Sequence, residues 1–271
     1  MASLSATTSS ESRLAAAWSD WRRRGRKALI PYLTAGYPDR AGSLELLRAS
    51  AGLADVIEVG VPFRDPLADG PTIQRASFEA LRRGMTLAGT LELIAEAAVA
   101  VPVIVFSYVN PVLRYGVDRF LRDAADAGAA GVLLTDVPTG AAPDLEQRIR
   151  DSPLDLIRLI APTTSGPRLR EVVQGAQGFL YLIARLGVTG ATAALDEHLA
   201  ESIARVRASS DLPLAVGFGI SGPEQAARVA GLADGVVIGS ALVERLGRGG
   251  PGDAVALLRD LRTAVDRGGA R

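Results

Sequence analysis

Residues 44–61 read Leu44-Glu45-Leu46-Leu47-Arg48-Ala49-Ser50-Ala51-Gly52-Leu53-Ala54-Asp55-Val56-Ile57-Glu58-Val59-Gly60-Val61. In the first part the apolar residues Leu44, Leu46, Leu47 and Leu53 recur at the spacing of one helix face. The second part, from Val56 to Val61, is a short and almost continuous apolar, β-branched run, the pattern of a strand covered on both sides. Seven further runs of this kind occur, at residues 28–33, 103–108, 131–134, 156–160, 179–183, 214–217 and 235–238. Helical spacing returns between them, for example at Leu199, Ile203 and Val206. Strands buried on both faces and separated by helices are parallel, and eight such units close most simply into a (β/α)8 TIM barrel. A doubly wound open sheet is the alternative.

A closed barrel of this kind uses about 250 residues as one unit, so the 271 residues call for one domain. Residues 1–13, rich in Ser, Thr and Ala and without an apolar signal core, read as a disordered tail. Residues 14–271 then form the barrel, opened by an extra N-terminal helix, with extended loops after strands 2 and 6. After strand 2, residues 62–102 hold a proline-rich loop, a helix near 73–82, a break at Gly84 and a second helix over 87–100. After strand 6, residues 185–195 are rich in Gly, Thr and Ala, as a closing lid would be.

Composition removes whole classes of chemistry. Thirty basic and thirty acidic residues cancel, so no overall field draws the chain to nucleic acid or anionic membrane. The absence of cysteine excludes disulfides, thiolate nucleophiles and cysteine-zinc sites, and agrees with a cytoplasmic setting. Lys27, the only lysine, precedes the first strand, the end of a barrel opposite its active face, which argues against Schiff-base chemistry. His198, the only histidine, sits among Asp196, Glu197 and Glu201 and reads as a solvated helix residue, so no metal site is expected. The longest apolar run, 97–106, is interrupted by Pro102 and is too short to span a bilayer.

Barrel active sites form past the carboxyl ends of the strands. Glycine clusters stand there after the sixth, seventh and eighth strands, in Gly187-Val188-Thr189-Gly190, Gly217-Phe218-Gly219-Ile220-Ser221 and Gly239-Ser240. Backbone N–H groups at such turns, with a helix start behind them, cradle a phosphate ester, although tight turns alone also use glycine. Glu58 is an acid inside a run whose neighbours are all buried. Burial raises a carboxyl pKa towards neutrality, where one group can both give and take protons; a structural Glu bonded to amides is the other reading. Asp69, in Asp65-Pro66-Leu67-Ala68-Asp69-Gly70-Pro71, is either a carboxylate held towards substrate or a plain turn or capping residue. Tyr32, Phe106, Tyr108, Tyr181 and Phe218 fall at strand ends, as core or together as an aromatic pocket.

Over a span from about Trp18 to Val265 the sequence resembles the tryptophan synthase alpha family. The resemblance is carried by Pro31-Tyr32-Leu33-Thr34-Ala35-Gly36, by Ile57-Glu58-Val59-Gly60-Val61-Pro62-Phe63, and by the segment from Asp65 to Gln74. Tyr108-Val109-Asn110-Pro111, Asp136-Val137-Pro138, Ala161-Pro162-Thr163, Arg185-Leu186-Gly187-Val188-Thr189-Gly190 and the two glycine clusters after strands 7 and 8 follow in the family's order. It implies a lyase that splits indole-3-glycerol phosphate by a retro-aldol reaction into indole and glyceraldehyde 3-phosphate. Glu58 would be the acid and base and Asp69 would stabilise the indole nitrogen. Gly190, Gly219, Gly239 and Ser240 would hold the phosphate. Tyr32, Phe106, Tyr108, Tyr181, Thr189 and Phe218 would flank the substrate, Arg185 would serve loop closure, and Asp65 would meet a partner. The implied partner is a beta subunit carrying pyridoxal phosphate, in an alpha2beta2 tetramer, with no cofactor or metal in this chain.

The chain departs from the family pattern at three places. Arg64 replaces a usual Ser or Thr, Ala184 a common Ser, and Thr139-Gly140 stand where acidic residues are usual. The competing functions are a stand-alone lyase that releases indole without a partner, and a non-catalytic activator of a beta chain. A different phosphate-binding barrel, such as an isomerase, calls for a catalytic lysine or cysteine that the sequence does not supply.

Overall fold

The computed structural model describes residues 12–183, 192–217 and 219–270. In chain order its first half comprises α1 (Arg13–Arg23), β1 (Ala28–Thr34), α2 (Arg40–Ser50), β2 (Ile57–Gly60), α3 (Pro71–Arg82), α4 (Leu87–Ala97), β3 (Val103–Ser107), α5 (Val109–Tyr115), α6 (Val117–Asp126) and β4 (Ala129–Leu134). There follow α7 (Pro143–Arg150), β5 (Asp155–Ile160), α8 (Gly166–Gln174), β6 (Leu180–Ile183), α9 (Thr192–Arg207), β7 (Leu214–Gly217), α10 (Pro223–Leu232), β8 (Gly235–Ile238) and α11 (Ser240–Gly269). Each strand pairs in parallel with the next, and β1 pairs with β8, from Ala28 opposite Gly235 to Pro31 opposite Ile238. That last pairing closes the sheet and overturns the open-sheet alternative.

Alternation along each strand sorts side chains into two cores. Inward-facing Ala28, Ile30, Val56, Ile104, Leu133, Ile157, Phe179, Ala215 and Val237 fill the lower barrel. From below, α1 inserts Leu14 and Trp18 into the same cluster, with the Trp18 and Phe179 rings 5.6 Å apart. The extra N-terminal helix is therefore a plug. Its N-cap is Ser12, whose hydroxyl accepts the Ala15 N–H and donates to Asp155 at 2.6 Å, so Ser12 and Arg13 belong to the folded body rather than to the tail expected over residues 1–13. Residues 1–11 of that expected tail lie outside the described residues. The outward-facing residues pack against the helices in the larger cluster.

Expected and observed boundaries differ where local geometry intervenes. The helix expected over 87–100 stops at Ala97, because Ala98 turns into the left-handed region at φ 49° and ends the hydrogen-bond ladder. Of the segment expected as a lid over 185–195, residues 192–195 belong to α9, which begins at Thr192; residues 184–191 lie outside the described residues. The last helix, α11, is two helices joined at a kink, with Gly250 at φ 76° and Pro251 following. Lys27 sits at the lower mouth as expected, where its carbonyl accepts from Arg262 at 2.9 Å.

The unusual Thr139-Gly140 pair has a structural account. Gly140, at φ 80°, donates its N–H to buried Glu146 at 2.8 Å, and Arg168 donates to the Thr139 carbonyl at 2.7 Å. Glu146 in turn pairs with Arg158 on β5, both nearly fully buried. Small residues at 139 and 140 let the loop fold down onto this pair.

Candidate active site

Two residues beyond Val56 on the same face of β2, Glu58 points into the barrel above the packed lower layer. Its strand neighbours in register are Tyr32 on β1 and Ile104 on β3. Its carboxyl is fully buried, and neither oxygen has a hydrogen-bond partner among the described residues. Burial pushes its pKa up to about 8, because the charged form loses hydration and gains nothing in return. The reading of Glu58 as a structural acid bonded to amides does not hold, because neither of its oxygens makes such a bond.

Above Glu58 opens a cavity of about 710 Å³. Its floor and sides include Tyr32, Glu58, Phe106, Tyr181 and Val237 from strand ends, and its far wall includes Gly219, Gly239 and Ser240. Tyr32 and Phe106 meet edge to face at 5.2 Å. The tyrosine rings need glycine beside them: a Cβ on Gly60 would overlap the Tyr32 hydroxyl, and one on Gly217 would overlap that of Tyr181. Burial and nearby carboxylates raise the pKa of both phenols, so both stay protonated as donors.

Asp69 lines the same cavity from the loop between β2 and α3. It is not a helix cap, since Gly70 holds the N-cap position of α3 and no side chain bonds there. Instead Tyr108 donates its hydroxyl to Asp69 Oδ2 at 3.2 Å and accepts the Ala68 N–H at 2.9 Å. Gln74 holds the loop from the other side, donating to the Asp69 carbonyl at 2.9 Å. Desolvation raises the Asp69 carboxyl to about 6, opposed in part by the Tyr108 hydrogen bond. Tyr108 does not line the cavity; it stands behind Asp69, stacked on Phe63 at 4.9 Å.

Gly219 takes φ 85°, a conformation that favours glycine, and exposes its backbone to the cavity. Ser240 begins α11 beside Gly239, and the N–H groups of Ser240 and Ala241 precede the first intrahelical bonds, which run from Leu242 and Val243 to the Gly239 carbonyl. N–H groups without an intrahelical acceptor and the positive end of a helix are the chemistry with which a protein binds an anion.

Other site expectations fall elsewhere. Asp65 is exposed beside Arg64 and does not line the cavity, and Leu67 two residues on is 92% exposed. Arg185, Thr189, Gly190 and Phe218 lie outside the described residues. His198 is exposed and lies 3.6 Å from Glu201, as a solvated helix residue does. Among the described residues no cluster of acidic and histidine side chains could hold a metal, and no helix is long and apolar enough to cross a membrane. Sequence reading missed Ile73, Thr135, Leu159 and Ile183, and also Arg245 and Arg248 on α11. Leu159 and Ile183 were findable, each lying two residues past a residue of the lower barrel core.

Known proteins resemble the chain throughout. The sequence profile of the family described as Tryptophan synthase alpha chain matches residues 18–265. A Tryptophan synthase alpha chain of Acidiphilium cryptum is 48% identical over 249 residues, 90% of each chain. One from Chloroflexus aurantiacus is 46% identical over 264 residues, covering 94% of this chain and 99% of that one. Among solved structures, a tryptophan synthase chain of M. tuberculosis superposes with a TM-score of 0.85 at 39% identity, over 94% of this chain and 99% of that one. The subunit alpha from Legionella pneumophila superposes with the same TM-score of 0.85 at 35% identity, over 94% and 98% of the two chains. Barrel, cavity and relatives converge: the chain belongs to the tryptophan synthase alpha chain family.

Proposed function

We propose that this chain is a carbon-carbon lyase, the alpha subunit that cleaves indole-3-glycerol phosphate to indole and glyceraldehyde 3-phosphate in tryptophan biosynthesis. The observation that carries the reading is Glu58, fully buried and without partners at the floor of a cavity whose opposite wall is an anion cradle. With its pKa near 8, Glu58 rests as the neutral acid at pH 7 and can give its proton to the indole ring carbon that bears the side chain. Positive charge then develops at the ring nitrogen, where ionised Asp69 stabilises it. The Glu58 carboxylate takes the proton of the neighbouring glycerol hydroxyl as its carbonyl forms. The carbon-carbon bond breaks, its electrons return to the ring, and Glu58 ends in its starting state.

Gly219, Gly239 and Ser240 hold the phosphate in this reading, with Gly190 completing the cradle. Tyr32, Phe106, Tyr181 and Phe218 flank the aromatic and glycerol parts, and Tyr108 acts through Asp69. Thr189 and Arg185 belong to the closing segment. The chain itself carries no cofactor. It works in the cytoplasm with a pyridoxal-phosphate beta subunit in an alpha2beta2 complex, contacted through Asp65 and its loop. The test is indole release by the parent chain and by Glu58→Gln, each with and without beta subunit. The parent is expected to be slow alone and faster in the complex, and the variant to lose most activity in both. Near-parental rates for the variant would rule the assignment out.

A further inference from the structure

The cavity extends past the cradle along α11, where Ala241, Glu244, Arg245 and Arg248 line it. Their spacing of three and four residues places them on one face of the helix. Helical side chains lean towards their own N-terminus, so the arginines on this face lean back towards Ser240 rather than away from it. Arg248 is already paired, donating to Glu244 at 2.6 Å. Asp253, the other carboxylate of this wall, packs against Gly249 at the kink, where an added Cβ would overlap it. Arg245 has no ion-pair partner among the described residues.

The cradle itself supplies neutral N–H groups and a helix end equivalent to roughly half a charge. A phosphate monoester carries about −1.5 to −2 at neutral pH. We infer that Arg245 is the cation that completes the cradle, setting the affinity of this site for phosphate monoesters over uncharged ligands of the same shape. The inference rests on the reading of the cavity as a phosphorylated-indole site and adds a residue to it. Arg245 is exposed at the mouth, so its attraction is screened by salt and acts on binding rather than on the bond-breaking step.

Calorimetric titration of the folded parent, Arg245→Gln and Arg245→Lys with glycerol 3-phosphate and, separately, with indole tests it. Arg245→Gln is expected to weaken glycerol 3-phosphate about three- to tenfold at low salt. The loss shrinks at about 0.3 M salt, indole binding is unchanged, and Arg245→Lys retains most of the affinity. In steady state KM for the phosphorylated substrate rises while kcat holds. If Arg245→Gln binds glycerol 3-phosphate as the parent does, or loses indole equally, the role of Arg245 is overturned while the phosphate site stands. If the parent binds neither probe, the function proposed for the cavity falls with it.

Discussion

One phenol, Tyr108, holds the loop acid Asp69 by donating to its Oδ2 at 3.2 Å while accepting the N–H of Ala68 at 2.9 Å. The hydroxyl comes from the start of α5 and the acid from the loop between β2 and α3, so the contact ties that loop to the barrel rim. Tyr108→Phe removes it. A hydrogen bond to a charged group contributes about 1.5–3 kcal/mol, and the bond lowers the Asp69 pKa. The variant should therefore lose roughly tenfold in kcat, with the acidic limb of its pH profile moved to higher pH. A parental rate and an unmoved limb would show that the loop is positioned by other contacts.

Catalysis in the proposed direction needs Asp69 ionised and Glu58 protonated. With the first near 6 and the second near 8, kcat/KM should rise through the lower value and fall through the upper, a bell centred close to neutrality. Rates measured from acid to alkaline pH decide this. A profile flat across the alkaline limb would exclude Glu58 as the proton donor.

Stability should change with pH for the same reason. The Glu58 pKa rises from an ordinary 4.5 to about 8 on folding, so its contribution is fully present below the lower value and is lost as pH climbs to the upper one. At pH 7 the unfolded chain has released this proton and the folded chain has kept it, a cost to folding of about 3 kcal/mol. Glu58→Gln removes that cost. Denaturant melts should find the variant more stable than the parent at pH 7–8, as a site tuned for reactivity rather than stability would be, with the gap closing towards pH 4. An equal gap at both ends would mean that Glu58 ionises normally.

At the cradle, Gly219 holds φ 85°, which a β-branched residue does not tolerate. Gly219→Val should weaken glycerol 3-phosphate and inorganic phosphate at least tenfold, roughly the loss of one charge-assisted bond, while indole binding changes little. Calorimetry on protein shown to be folded separates the two. Undiminished phosphate binding would place the anion elsewhere.

Much of this was legible along the chain. Eight short apolar runs separated by helical spacing pointed to a parallel sheet, because strands covered on both faces need a helix between each pair, while its closure into a barrel was decided by the pairing of β1 with β8. An acid within such a run marked Glu58, since burial of a carboxyl is costly, and glycines past the seventh and eighth strands marked Gly219 and Gly239, which line the same cavity. What the chain could not announce were the contacts that join distant segments. Tyr108 read as a pocket aromatic, but only packing put it behind Asp69. Thr139-Gly140 read as an unexplained departure until Glu146 and Arg158 came together beneath that loop. Arg245 carried no signal at all, because a charged residue on an amphipathic helix looks the same whether it faces water or a cavity. Local pattern determines which face of an element is buried; the tertiary structure alone decides what that face meets, since a closed barrel brings residues far apart in sequence to one rim.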